Sequence, residues 1–231
     1  AITTIGYICE KLATNKLQPN SEEIDTIMAG IATGLSDEQT NEEIRLASIK
    51  GLLDSIPFFK DLLKQEGVRE HFLTLILKNC AHTNEEIVLK SVQCLIDIFK
   101  GCYPYLSSRY MDVILDATVK LMKKPSASIV IANVEFWNSV ARYEAKLQFK
   151  QALGEESGVA FYNFTNTYAK PVTICLLENL MKKDNEDVES GLSVHSASIE
   201  CLAHINSLGF ENNKEVNIQF ISGRLNFNSR P

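Results

Sequence analysis

Histidines, cysteines and recurring carboxylates are the residues of this sequence that could do chemistry. His71, His82, His195 and His204 do not pair with carboxylates or cysteines at the spacing that ligates a metal. Neither a GxxxxGKS/T phosphate loop nor a GxSxG elbow is present. No cofactor is therefore expected, no metal, and no enzymatic role. None of the six cysteines forms a CxxC pair. Cys9, Cys94 and Cys201 fall on apolar helical faces, as buried free thiols do in a reducing compartment. The carboxylates are different, because they recur in register. Asp54 and Asp97 hold one position of a repeated helix, and Glu135 and Glu200 hold another, one turn earlier. Stacked copies would set like charges side by side, and a basic ligand would relieve that repulsion. A solvated helix face accounts for the same residues. A second acidic group, Asp184, Glu186, Asp187 and Glu189, lies in a connector, KDNEDVESG.

These carboxylates are positioned by a pattern that appears four times without internal gaps. Residues 41–56 read NEEIRLASIKGLLDSI, and residues 84–99 read NEEIVLKSVQCLIDIF. Residues 126–141 read SASIVIANVEFWNSVA, and residues 191–206 read GLSVHSASIECLAHIN. Ile44, Ile87, Ile129 and Val194 form one apolar column; Ile49, Val92, Val134 and Ile199 form the next; Leu52, Leu95, Trp137 and Leu202 form a third. The first two spacings, 43 and 42 residues, match the period of HEAT or armadillo solenoids built from helix pairs. The third is one period plus an insertion. Each unit is too small to bury its own apolar face, so stacking supplies the core. The predicted class is an all-α, α-α superhelix, a HEAT-repeat solenoid. Seen on a helical wheel, Lys50, Gln93, Glu135 and Glu200 lie opposite the apolar columns, with Asp54 and Asp97 one turn on.

Composition agrees with long helices. Hydrophobic residues make up 45% of the chain, which excludes a disordered polymer, and 11 Gly with 6 Pro leave room for uninterrupted helix. No apolar run approaches the ~18 residues of a membrane helix. A net charge of −6 disfavours nucleic acid as the main partner and suits a basic protein, although it also serves plain solubility.

In order, the chain reads as a single array. Residues 1–13 are the back half of a repeat, because Ile2, Ile5 and Ile8 fall where Ile49, Leu52 and Ser55 fall. The chain is accordingly read as a piece of a longer array. Full repeats are expected over 21–59, 68–103, 107–149 and 159–208, and a further first helix over 213–225. Ser21, followed by Glu22 and Glu23, reads as an N-cap with an acidic first turn. QALGEESG at 151–158 reads as a loop. The helix expected over 159–183 should be kinked or divided at Pro171.

Four short strings, in this order and spacing, resemble the importin-β (karyopherin-β) nuclear transport receptors: Ile5-Gly6-Tyr7-Ile8-Cys9, Arg69-Glu70-His71-Phe72, Glu135-Phe136-Trp137 and Thr167-Tyr168-Ala169-Lys170. The resemblance covers nearly the whole chain, in the N-terminal half of the family, and weakens after Leu208. It implies a superhelix that carries cargo through nuclear pores, found in cytoplasm, nucleus and at the pore. First helices would line an outer face that takes nucleoporin Phe-Gly repeats. The matching positions are Asp25, Thr26, Ala29, Arg69, Phe72 and Leu73; Asp25 and Ala29 depart from the aliphatic residues the family prefers. Second helices would line an inner face for importin-α or other basic cargo, or for Ran-GTP. That face takes in Asp54, Asp97, Glu135 and Glu200, with the connector carboxylates Asp184, Glu186, Asp187 and Glu189 beside it. The connector is shorter than in the family, with Leu192 at its tryptophan position. Ran-GTP binding is expected to be weak, since the family's earliest repeats are not included. Neither nucleic acid nor membrane is an expected partner. A HEAT scaffold of another class, such as a phosphatase scaffold or coat adaptor, is the competing reading.

Overall fold

The structure, a computed structural model, describes residues 2–15, 19–155, 158–182 and 193–208. Among these residues all the regular structure is helix, with no strand: α1 (Ile2–Thr14), α2 (Ser21–Leu35), α3 (Glu42–Phe59), α4 (Glu66–Cys80), α5 (Glu85–Cys102), α6 (Ser108–Leu121), α7 (Ala127–Ala152), α8 (Phe164–Leu180) and α9 (Val194–Ser207). Short 3-10 turns follow α3 and α5. None of these helices is long and apolar enough to cross a membrane. The expected helix over 213–225 lies outside the described residues.

The chain divides into two compact units, residues 1–107 and 108–231. In the first, α2 pairs with α3 and α4 with α5, while α1, α3 and α5 stack in sequence. In the second, α6 pairs with α7 and α8 with α9, and α7 stacks on α9. Within each unit, paired first and second helices stacked on the neighbouring pair are the arrangement of HEAT repeats. The apolar columns explain it. Ile49, Leu52, Val92, Leu95, Val134 and Trp137 are all buried, each aliphatic side chain contributing about 1.5–3 kcal/mol by leaving water. Ile199 departs from its column and is 58% exposed. It lies on the last described helix, on a face where no described neighbour packs.

Starts of the second helices are fixed by one device. Asn41 Oδ1 accepts from the Glu43 and Ile44 amides at 2.9 and 3.2 Å, and Asn84 Oδ1 from Glu86 and Ile87 at 3.0 and 3.4 Å. Ser126 does the same for Ile129. Each satisfies amides that have no partner inside the helix. In the fourth copy the cap is Ser193, two positions later than the alignment places it, because Ser193 and Ser196 close a reciprocal capping box. At α2 the cap is Asn20 rather than Ser21. Its side chain accepts from the Glu23 amide, and its own amide donates to Glu23 Oε2 at 2.8 Å, a closed box that Ser21 has no part in.

Two buried side chains hold helix ends from a distance. Arg45, on α3, donates to the carbonyls of Leu35 (3.1 Å), Ser36 (2.9 Å) and Gln39, and to Asn79 Oδ1 (3.0 Å). It supplies the cation that the last turn of α2 lacks. Glu144, on α7, is 0% exposed and accepts from the amides of Phe164 and Thr165, both at 2.7 Å. It caps α8 from 20 residues upstream. Helix α8 therefore starts at Phe164, not at residue 159, after Asn163 in the left-handed region (φ 59°). It then runs undivided through Pro171 to Leu180.

Trp137 is the centre of the second unit. Its Nε1 donates to Thr118 Oγ1 at 3.0 Å, joining α7 to α6, and its ring lies 6.0 Å from that of Tyr168 on α8. Tyr168 in turn donates to Asp112 Oδ1 at 2.7 Å; burial, first, and this bond push its hydroxyl far above the ordinary phenol range.

Candidate functional site

The outer-face residues separate into two groups. Thr26 and Ala29 are exposed on α2, with the Thr26 hydroxyl turned back to the Glu22 carbonyl at 2.9 Å. Arg69, Phe72 and Leu73, on α4, are only 6%, 4% and 2% exposed. Phe72 packs its ring 5.8 Å from Phe59 and 5.5 Å from His71. Arg69 donates to the carbonyls of Leu63 and Lys64, both at 2.9 Å, and lies under the Tyr105 ring. Helices α2 and α4 do touch, but the five residues do not line one open slot. Thr26 belongs instead to an apolar groove of ≈ 560 Å³ between α1 and α2, with Ile8, Leu12, Pro19 and Ile27 in its walls. The sequence signal for that groove was the Ile8–Leu12 spacing on α1.

On the second helices of the first unit, Asp54 and Asp97 sit half-buried on α3 and α5. Burial and, secondarily, Glu10 push the Asp54 carboxyl above its ordinary value, with Lys90 pulling the other way. Asp97 accepts from Gln93 Nε2 at 3.4 Å on its own helix. The face is not purely acidic. Lys50 pairs with Glu86 across α3 and α5 at 2.6 Å, and that hydrogen bond holds the Glu86 carboxyl below its ordinary range. Beside this pair a groove of ≈ 410 Å³ opens between α1 and α3, with Tyr7, Glu10 and Asp54 in its lining. Tyr7 fills, in the first copy, the repeat position of Asp54, and this was the signal available in the sequence.

In the second unit Glu135 and Glu200 are exposed and are brought together by a buried residue the sequence did not single out. Asn138 Nδ2 donates to Glu135 Oε2 at 3.1 Å and to Glu200 Oε1 at 3.3 Å. The Asn138 carbonyl oxygen then faces His204 Nδ1 at 2.6 Å, which makes Nδ1 the protonated nitrogen of that imidazole. Ser139 Oγ donates to Glu135 Oε1 at 3.3 Å. His204 occupies the Asp54 and Asp97 repeat position, so the column that carried carboxylates in the first unit carries an imidazole here. Asp184, Glu186, Asp187 and Glu189 lie outside the described residues.

Among the described residues no group of three His, Cys, Asp or Glu could hold a metal ion. Cys80, Cys94, Cys102, Cys175 and Cys201 are free and buried. Burial pushes the Cys80 thiol up to about 12 and Cys102 to about 11, so neither offers a thiolate near neutral pH. On the second-helix faces Asp54 and Asp97 are half-buried carboxylates, and Glu135 and Glu200 are exposed ones.

No protein-family model matches the chain. The chain is 26% identical over 189 residues to importin subunit beta-1 of Saccharomyces cerevisiae, a match covering 82% of this chain and 22% of that protein. The curated relatives it matches are thus spanned over less than a quarter of their length. A crystal structure of importin beta superimposes with a TM-score of 0.85 at 25% identity, over 97% of this chain and 26% of the other. Two structures of the yeast protein Kap95 share the fold. One concerns Kap95p binding and the switch loops of RanGDP (TM-score 0.81, 22% identity, 96% of this chain and 25% of that one). The other is a Kap95:Nup1 complex (0.80, 23%, 95% and 25%). Over most of its length the chain is similar to importin-β in sequence and in structure, as the four strings implied.

Proposed function

We propose that this chain is part of a nuclear transport receptor of the importin-β kind, working in protein import into the nucleus. Its first-helix side binds nucleoporin Phe-Gly repeats. There Thr26 and Ala29 are the exposed contacts on α2, and Arg69, Phe72 and Leu73 are the matching positions on α4. Its second-helix side binds basic cargo or the importin-α segment through Asp54, Asp97, Glu135 and Glu200, and the connector carboxylates Asp184, Glu186, Asp187 and Glu189 contribute to the same binding. Ran-GTP binds weakly to this stretch. The observation that carries the reading is the similarity to importin subunit beta-1 over 82% of the chain. Kap95, whose fold it shares, is known with RanGDP and with Nup1. The receptor moves between cytoplasm and nucleus through the pore, and any nucleotide belongs to the partner GTPase.

The test is retention of the chain on three immobilised ligands: a Phe-Gly repeat peptide, a basic importin-α-like segment and Ran-GTP. Phe-Gly peptide and basic segment should both retain it, the latter less as salt rises, since exposed charges are screened beyond ~8–10 Å. Retention on none of the three would return the chain to the scaffold reading.

A further inference from the structure

The last carbonyls of a helix have no partner inside it, and a cation or donor beside them is stabilising. The first helices meet this need in two ways. Helices α4 and α6 carry their own cation in the last turn, Lys78 and Lys120. Helices α2 and α8 have no basic residue there. For these two the following second helix supplies the donor, from one repeat position. Along the chain that position holds Arg45, Val88, Val130 and His195. The two valines are buried core residues. Arg45 donates at 3.1 Å to the carbonyl of Leu35, the last residue of α2. His195 Nε2 lies 3.0 Å from the carbonyl of Leu180, the last residue of α8. A carbonyl only accepts, so Nε2 carries the proton.

A guanidinium is always charged, whereas an imidazole changes charge between pH 5 and 8. We propose that His195 is a proton-dependent clasp on the end of α8. Protonated, the ring keeps its Nε2–H bond to Leu180 and places a cation at the negative end of the helix dipole. Neutral, it loses that charge, and the bond survives in only one of two tautomers. The other charged groups near this end of α8 are Glu178 and Lys182 on the same strand of chain and Lys123 after α6. Lys182 Nζ donates to the Asn179 side chain at 2.7 Å and not to a helix carbonyl. Further along, Glu200 and His204 on α9 and Glu135 on α7 are engaged with Asn138.

The experiment is amide hydrogen exchange of the full chain at pH 5.5 and 7.5, each rate divided by that of an unstructured chain at the same pH. The reporters are the Met181 and Lys182 amides, which donate to the Glu178 and Asn179 carbonyls at 3.2 Å. Their protection should be about two- to five-fold higher at pH 5.5, the scale of one charge at a helix end. The Ser36 amide, at the end of α2 beside Arg45, should show no such change. His195→Arg should protect the two reporters at both pH values as well as the parent does at pH 5.5, a gain that misfolding does not produce. His195→Gln keeps an N–H donor without the charge, and should give the lower protection at both. Equal parent protection at the two pH values overturns the clasp. So does a pH dependence that persists in His195→Gln, which would belong to another group such as His204, or an equal change at Ser36.

Discussion

Replacing Glu144 tests how far one side chain sets the course of the second unit. Its carboxylate accepts two backbone amides at 2.7 Å, those of Phe164 and Thr165, in a site with no solvent exposure. A hydrogen bond to a charged group contributes about 1.5–3 kcal/mol net, and a buried amide left without its acceptor costs about 1–3 kcal/mol. Negative charge at a helix N-terminus adds about 0.3–1 kcal/mol. Because these overlap, Glu144→Ala should cost about 3–5 kcal/mol and Glu144→Gln about 1.5–3 kcal/mol, the amide keeping one acceptor oxygen. The loss should travel through the rings. Tyr162 stacks on Phe164 at 5.3 Å, Phe164 on Tyr168 at 6.4 Å, and Tyr168 meets Trp137 at 6.0 Å. Trp137 is the only tryptophan, so urea unfolding followed by its emission reports this unit directly. Amide exchange at Phe164 and Thr165 should accelerate in both variants. A Glu144→Gln chain whose midpoint and exchange match the parent would refute the cap as the reason α8 begins where it does.

Other outcomes follow from burial and charge. Leu73→Ala should lower stability by about 2–5 kcal/mol in thermal melts, because the side chain is core and not an open wall. Arg45→Met should lose about 2–4 kcal/mol, since the carbonyls that end α2 would be left without their donor; an unchanged melting temperature would count against it. The Asp54 carboxyl is raised in the fold above its ordinary 3.8, so the folded chain holds that proton more tightly than the unfolded one. Stability from this group is therefore present below pH 3.8 and is lost as pH rises through the raised value. Asp54→Asn should be slightly more stable than the parent at pH 7, with the difference vanishing toward acid in parallel melts.

Periodicity made the helices legible, because it is written within a few neighbouring residues, whereas the one cap read from the sequence, Ser21, gave way to Asn20. Most of the columns are buried for the same reason, with Ile44 and Val194 half-buried and Ile199 as the exposed departure. Its type fits a core column, but its exposure depends on what packs there, and no local pattern encodes that. The start of α8 was misplaced because its cap, Glu144, stands 20 residues upstream on another helix. Asn138 escaped notice because its importance comes from touching Glu135, Glu200 and His204, the last two more than 60 positions away. The acidic residues of the second helices were found by register, yet the Lys50–Glu86 pair that tempers them was not. Ion pairs form between helices, and the repeat alignment places residues without pairing them.

Helix α7 is 26 residues long where α3 and α5 have 18, which at 1.5 Å per residue makes about 39 Å against 27 Å. Its surplus turns carry Phe149, 65% exposed, and end on Leu153, 60% exposed, just before Gly154 in a left-handed conformation. A protease that prefers large apolar side chains meets there two accessible ones at a helix end, where local opening costs least. Chymotrypsin at low dose should nick the chain there first. The two pieces should nonetheless co-elute under native conditions, because the body of α7 is packed against both α8 and α9 on the far side of the cut.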